Sequence, residues 1–152
     1  MKTSLRYMEY LQGKLQEVVE YEMPNIEKAA ELMAQSCLKG GRIYVFGTGH
    51  SHIICEEPFY RAGGLACIYP ILESGLMLHE GASKSSSYER TPGLGNVAVS
   101  HTPLGKGDVL FLISNSGRNC AIIDAALEAK KRGAITVAIT SMNHTTSVTS
   151  RH

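Results

Sequence analysis

Apolar residues recur every three or four positions near the start of the chain, at Leu5, Met8, Leu11, Leu15, Val18 and Val19. This spacing places them on one side of a helix, which we predict over residues 3–22. A second helix is predicted from Pro24, a residue suited to a first helical turn, and Gly40-Gly41 ends it. Residues 1–41 therefore form a predicted helical segment. Its apolar faces require cover from their own domain or from a second subunit.

After residue 41 the pattern changes to short apolar runs, which predict strands at 43–46, 65–71, 109–113 and 135–139. Helices are predicted over 119–132, ended by Gly133, and over 52–62, where Pro58 must lie in the first turn or bend the helix. Strands that are apolar along their whole length and joined through helices indicate a parallel sheet covered on both faces. Residues 42–152 are therefore a predicted α/β domain.

Residues 72–104 show no hydrophobic period and are rich in Gly and Ser. Polar loops of this length are uncommon in compact domains unless they have a function. The segment therefore predicts a loop at an active site. Residues 94–104 are predicted as a weak helix at most, because Gly95 and the valines disfavour one.

Composition excludes several classes of function. The formal net charge is +1 and aromatic residues make up 7%, which argues against nucleic-acid binding. No apolar run approaches the roughly 18–20 residues that cross a bilayer, and the N-terminus lacks the apolar stretch of a signal peptide. The four cysteines are widely spaced, as expected of buried, reduced thiols in a cytoplasmic protein.

Small polar residues follow the third strand, where Ser114-Asn115-Ser116-Gly117 leads into the helix that opens at Asn119. Backbone N–H groups and the positive end of the helix dipole would face a ligand in this turn. No lysine follows as in a nucleotide-binding P-loop, so the turn suits a single phosphate held by hydroxyls and amides. The alternative is a simple helix N-cap, for which Ser and Asn are the usual residues.

Two further strands end in the same kind of residue. Gly47-Thr48-Gly49-His50-Ser51 follows the first strand, and Thr140-Ser141 follows the fourth. The carboxyl ends of parallel strands meet at one edge of the sheet, which is where open α/β sheets bind ligands. We therefore expect the three turns to form one site.

With GTGHS after the first strand and ISNSG after the third, residues 42–150 resemble the SIS (sugar isomerase) family of phosphosugar-binding domains. The helices before the first strand and the segment FYRAGGL are similar to small bacterial members that resemble phosphoheptose isomerase. The resemblance implies a flavodoxin-like, three-layer α/β sandwich with a five-stranded parallel sheet, in a homodimer or homotetramer. The fifth strand and final helix of the family are missing from this sequence, so we expect it to be a fragment.

The same resemblance implies roles for individual residues. Ser51, Ser114, Ser116 and Asn119 would hold the sugar phosphate, and His50 and Asn115 would line the same pocket. Aldose–ketose isomerisation also needs a base and an acid. Adjacent helical residues point about 100° apart, so only one of Glu56 and Glu57 can face the site. Similarity to a glutamate pair of phosphoheptose isomerases favours Glu57.

His79 and Glu80 form a second candidate acid–base pair in the long polar segment, although an exposed pair on a loop has the same sequence. Lesser candidates are Glu73, Glu89 and Arg90. His50 and His52, with Cys55 as a third ligand, raise the question of zinc, which some phosphoheptose isomerases use. Two histidines do not make a metal site, so we predict no metal and no other cofactor.

The sequence thus predicts a cytoplasmic isomerase whose partner is a phosphorylated sugar rather than a nucleic acid or a membrane. Two alternatives stay open. One is a lyase that cleaves the ether of N-acetylmuramic acid 6-phosphate. The other is a non-catalytic phosphosugar sensor.

Overall fold

The computed structural model describes residues 2–152, which divide into a compact unit ending at Gln35 and a second unit, Ser36–His152. Helix α1 spans Thr3–Tyr21 and helix α2 spans Met23–Leu38, which confirms both predicted helices. None of the nineteen described residues of α1 is buried. Its apolar stripe is open to solvent, with Leu15 67% exposed.

Four parallel strands form one sheet in the order β2-β1-β3-β4, the first part of a flavodoxin-like order. The strands are β1 (Ile43–Gly47), β2 (Ile68–Pro70), β3 (Val109–Ile113) and β4 (Ile135–Ile139). The bounds of β3 and β4 match the prediction. Strand β2 is shorter than predicted because Leu65 and Ala66 lie exposed in the turn before it. The predicted α/β architecture with a parallel sheet is confirmed.

Helix α3 spans only Ser51–Glu56, so the predicted helix over 52–62 is wrong in its second half. Pro58 has no N–H with which to continue the helical hydrogen bonds, so the helix ends ahead of it. Helix α6 spans Cys120–Lys131 as predicted, and Gly133 follows with a φ of 78°.

The prediction of a loop is wrong for much of residues 72–93, whereas the weak helix considered over 94–104 is present over Leu94–Ser100. Two single-turn 3₁₀ helices (Ser74–Leu76 and Leu78–Glu80) lead into helices α4 (Ala82–Tyr88) and α5 (Leu94–Ser100). Several of their buried positions carry Gly or Ser instead of large apolar residues, which conceals the helical period. Gly75 and Gly95 are buried, and the buried Ser85 hydroxyl donates to the Leu76 carbonyl at 2.9 Å.

The main core joins strands β1 and β3 to helices α5 and α6. Tyr44, Phe46, Leu110 and Leu112 pack in one cluster with Val99, Ala121, Ala125 and Ala129. Burial on both faces, predicted for every strand, holds for β1 and β3 but not for β4, where Ile139 is 50% exposed. The reason is that β4 lies at the edge of the described sheet. A last helix that sequence patterning missed, α7 (Met142–Ser147), is polar throughout apart from its first residue.

Across residues 2–152, no helix combines the length and the apolar character needed to span a bilayer.

Candidate functional site

The carboxyl ends of three neighbouring strands meet as expected. The parallel register aligns Gly47 of β1, Ile113 of β3 and Ile139 of β4. Hydrogen bonds then join two of the segments beyond: the Ser114 N–H donates to the Ile139 carbonyl at 3.1 Å, and the Ser141 N–H donates to the Asn115 carbonyl at 3.1 Å. The polar segments that follow β1, β3 and β4 therefore begin side by side at one edge of the sheet.

Two glycines shape the segment after β1. A Cβ atom on Gly47 would lie 2.9 Å from the backbone of Ser51, so glycine allows the start of α3 to pack directly on the end of the strand. Gly49 has a φ of +57°, and its N–H donates to the Leu76 carbonyl at 2.9 Å. This geometry places the half-buried Ser51 at the strand end and leaves His50 exposed.

The turn after β3 is closed by its own serine. The Ser114 hydroxyl accepts a hydrogen bond from the Gly117 N–H at 3.0 Å, where Gly117 has a φ of +60°. That bond uses a lone pair of the oxygen, so the hydroxyl proton is available for a ligand. Asn119 begins α6 with extended backbone, but its side chain makes no capping bond, unlike the simple N-cap considered above.

An arginine that sequence reasoning missed also lies at the start of α6. Arg151 donates from Nη1 to Asn119 Oδ1 at 2.7 Å and from its backbone N–H to the Arg118 carbonyl at 2.8 Å. A guanidinium adds positive charge at the positive end of a helix dipole, which favours an anion there. The contact spans 32 residues, and no local sequence signal announces it.

Helix α7, which follows β4, contacts the turn after β3. The Thr145 hydroxyl donates to the Ser116 carbonyl at 3.1 Å, and Asn115 Nδ2 lies 2.8 Å from His144 Nδ1. A cavity of about 270 Å³ lies beneath, lined by Ser114, Thr140, Thr145 and apolar residues of α6. A larger open cavity of about 520 Å³, lined by residues between 59 and 68, includes none of the predicted site residues.

Glu89 links the first turn to helix α6. Its carboxylate oxygen Oε2 accepts from the Thr48 hydroxyl at 2.8 Å, and its backbone carbonyl accepts from the Ala121 N–H at 3.0 Å. The sequence ranked Glu89 among the lesser candidates. The structure instead places the half-buried Glu89 in contact with both the turn after β1, through its carboxylate, and the first turn of α6, through its backbone.

A group of titratable residues surrounds the first turn of α3. His52 is 6% exposed, and its Nε2 lies 3.0 Å from Glu56 Oε1 without the geometry of a hydrogen bond. The ring of His79 lies beside it, with 6.1 Å between the ring centroids. Positions 52 and 56 share one side of the helix because they lie four residues apart within α3.

The three residues predicted as catalytic, Glu57, His79 and Glu80, are all exposed to solvent. Glu57, with a side chain 71% exposed, forms an ion pair with Arg61. Glu80 is paired with Lys84 of α4 at 3.5 Å, and both side chains are exposed. Of these three residues, His79 alone lies beside another residue considered for the site, His52.

The residues considered for zinc do not converge. Within residues 2–152, no three His, Cys, Asp or Glu side chains come together to hold a metal ion. Cys55 is fully buried, and burial raises its pKa to about 12, so it stays a neutral thiol. The residues considered for zinc therefore do not fit a zinc site.

Comparison with known proteins adds a family match and a fold match. Residues 6–141 match the family model described as SIS domain. The chain is 45% identical over 147 residues to a UPF0309 protein of Geobacillus kaustophilus, covering 97% of this chain and 59% of that protein. It is 46% identical over 150 residues to a UPF0309 protein of Thermoanaerobacter pseudethanolicus, covering 97% of this chain and 61% of that one. The chain thus spans about three fifths of these relatives.

Solved structures share the fold at low sequence identity. Phosphoheptose isomerase from Neisseria gonorrhoeae aligns with a TM-score of 0.69 and 21% identity, over 97% of this chain and 79% of that one. A phosphoheptose isomerase from Francisella tularensis aligns with a TM-score of 0.68 and 21% identity, over 92% and 75%.

Proposed function

Since the chain belongs to the SIS-domain family, we propose that it binds a phosphorylated sugar and interconverts the aldose and ketose forms of that sugar. The observation that carries this proposal is the register of β1, β3 and β4, which brings three turns with hydroxyl side chains to one edge of the sheet. Open parallel sheets bind their ligands at that edge.

The phosphate binds, in this proposal, between the start of α3 and the start of α6. Ser51, Ser114, Ser116 and Asn119 donate to it or orient it, and His50 and Asn115 line the pocket beside it. The dipole of α6, a helix of twelve residues, favours the anion. Arg151 supplies the positive charge that the serines lack.

Proton transfer needs a base that removes a proton from the carbon beside the carbonyl and returns it to the neighbouring carbon. We assign this role to Glu89, whose carboxylate accepts from Thr48 in the turn after β1 and whose backbone contacts the first turn of α6. His79, beside the buried His52, is the proposed acid for the sugar oxygens. Glu57 and Glu80 compete with Glu89 and His79 for these two roles, and substitution of each residue distinguishes them.

Ligand binding is tested by a thermal-shift screen of sugar phosphates that starts with heptose and hexose phosphates. A ligand at about 100 times its Kd adds roughly 2.7 kcal/mol of stability. The shift should disappear in Ser114→Ala/Ser116→Ala and persist in Ser4→Ala, an exposed serine of α1. Unphosphorylated sugars should give no shift. Equal shifts from phosphorylated and unphosphorylated sugars would refute the phosphate site.

Catalysis is tested by following aldose–ketose interconversion of the ligands that bind. Loss of a general base or acid costs about 10²- to 10⁴-fold in rate. Glu89→Gln and His79→Gln should therefore lose turnover and keep the thermal shift, while Glu57→Gln and Glu80→Gln keep both. Loss of turnover in Glu57→Gln instead would move the base to that residue. Binding without interconversion of any sugar phosphate would favour a sensor, and lactate release would favour the etherase.

We also propose that a second copy covers the exposed stripe of α1, giving a homodimer or homotetramer. Six large apolar residues of this helix are between 36% and 67% exposed: Leu5, Met8, Leu11, Leu15, Val18 and Val19. Leu15→Glu should lower the mass measured by light scattering, and Gln16→Glu should not. A monomeric parent protein would contradict the proposal. The cytoplasmic location stays a prediction.

A further inference from the structure

Two of the four cysteines face each other away from the candidate site. Cys37 lies in the last turn of α2 and Cys67 directly precedes β2, and both belong to the unit Ser36–His152. Their sulfur atoms are 2.9 Å apart, with the Cys37 thiol donating to Cys67. Both residues are half-buried, so small reagents can reach the sulfurs while the fold keeps them together.

The other two cysteines are in a different situation. Cys55 and Cys120 are buried, and their thiols are directed at the backbone carbonyls of Ser51 and Arg151. Neither has a thiol partner at hydrogen-bond distance among residues 2–152. Pairing is therefore a property of Cys37 and Cys67, not of the cysteines in general.

A metal does not explain the pair. A zinc site needs about four ligands, of which at least three come from the protein. Among the described residues, no group of three His, Cys, Asp or Glu side chains contains these two cysteines. Two adjacent thiols without a third ligand fit two-electron oxidation chemistry instead.

We propose that Cys37 and Cys67 form a reversible oxidation site, at which a peroxide converts the two thiols into a disulfide that a dithiol reductant reopens. Four observations support the site: the sulfur–sulfur distance, the shared access to solvent, the fixed backbone on both sides and the absence of a third metal ligand within residues 2–152. The proposal does not depend on the function proposed above.

The chemistry proceeds in two steps. The hydrogen bond to Cys67, together with burial, raises the pKa of Cys37 to about 11, so Cys37 stays protonated at neutral pH and the first attack falls to Cys67. The Cys67 thiolate attacks one peroxide oxygen, the O–O bond breaks, and a sulfenic acid and one water result. The Cys37 sulfur then attacks the sulfenic sulfur, the S–O bond breaks, and the leaving hydroxide takes the thiol proton as a second water. Two thiols are oxidised and one peroxide is reduced to two waters.

The disulfide would close a loop that contains β1 and α3. The two cysteines are 30 residues apart, and the Cys67 carbonyl already accepts from the Ile43 N–H at 2.9 Å. A cross-link over a loop of this length restricts the unfolded chain, which for a protein of this size corresponds to a rise in Tm of roughly 10 °C.

The test oxidises the reduced protein with hydrogen peroxide and maps its peptides by mass spectrometry without reduction. We expect a peptide that joins Cys37 to Cys67, loss of two of the four thiols, a higher Tm, and return of all three readouts on treatment with dithiothreitol. Cys55 serves as the internal control and should stay reduced. A different cross-link, or no cross-link while both thiols react with iodoacetamide, overturns the proposal.

Two serine variants test which thiol attacks peroxide. Their readout is dimedone labelling, which does not depend on a change in folding. In Cys37→Ser the sulfenic acid on Cys67 has no partner, so dimedone should trap it and peroxide should leave the Tm unchanged. In Cys67→Ser the residue that attacks peroxide first is missing, so dimedone labelling of Cys37 should be weaker than that of Cys67 in Cys37→Ser. Strong dimedone labelling in Cys67→Ser with none in Cys37→Ser overturns the assignment of the attacking thiol.

Discussion

Gly95 offers the sharpest test of how the helices beside the candidate site pack. It lies buried in α5, where that helix packs against α6. A Cβ atom at this position would overlap the carbonyl oxygen of Ala121 and would lie 2.7 Å from the Ala121 carbonyl carbon and 2.9 Å from the Ala125 nitrogen. All of these are backbone atoms of α6, which no side-chain rotation can move aside. Gly95→Ala must therefore push the two helices apart.

The change in the free energy of unfolding is the difference between a packing cost and a gain in helix propensity. Adding a methyl group to a well-packed interior costs typically about 1–3 kcal/mol, and backbone overlap places this site at the upper end. Alanine is about 1 kcal/mol more favourable than glycine inside a helix. The expected loss is therefore about 2 kcal/mol, which lowers the urea midpoint by about 1 M and the Tm by about 4–8 °C.

The matched control is Gly13→Ala in α1, the same chemical change at a position with no atom within 4 Å of the new Cβ. There only the helical preference acts, so the free energy of unfolding should rise by up to about 1 kcal/mol. Both variants are measured by urea unfolding followed by circular dichroism. If Gly95→Ala stabilises the protein as Gly13→Ala does, α5 and α6 do not pack as described.

Three further predictions concern single side chains. The pKa of Glu128 is lowered by its hydrogen bond to Arg132 at 2.7 Å, so this group stabilises the fold at pH values above the ordinary pKa of a glutamate and loses the effect as the pH falls below it, through the lowered pKa. Glu128→Gln should lower the Tm at pH 7 and reduce the fall in Tm on acidification. Cys55, with a pKa of about 12, should resist iodoacetamide at pH 8 in the folded protein and react once urea unfolds it. Arg151→Ala should weaken binding of a sugar phosphate about 10-fold or more, as expected for a charge-assisted hydrogen bond, in isothermal titration calorimetry, and Arg6→Ala in α1 should leave it unchanged.

The parts of the fold that were predictable are those in which burial and hydrophobicity coincide. Strand β3 is an unbroken apolar run that is buried on both sides, so its bounds follow from composition alone. Residues 72–104 are the opposite case, because buried positions carry small residues: the Tyr88 ring at Gly75 and the backbone of α6 at Gly95 leave no room for a side chain, and Ser85 is buried with its hydroxyl bonded to Leu76. A hydrophobic pattern cannot reveal a helix that packs through its glycines.

The candidate site also has parts that were predictable from local sequence and parts that were not. The turns after β1 and β3 were visible because each is a local run of small polar residues beside a strong strand. The choice between Glu56 and Glu57 could not be made from spacing alone, because it depends on which side of α3 faces the site; in the structure Glu56 lies beside His52 and Glu57 is exposed. Glu89 reaches Thr48 across 41 residues, so its position follows from tertiary packing alone.

Glu89 has a consequence for how new activities arise on this scaffold. Its contact with α6 uses the main-chain oxygen, which every amino acid carries, whereas its contact with Thr48 uses the carboxylate. Replacing the side chain therefore removes the carboxylate beside Thr48 and leaves the hydrogen bond to α6 in place. Position 89 is a point where chemistry can diversify at low structural cost, for natural selection and for a laboratory library alike.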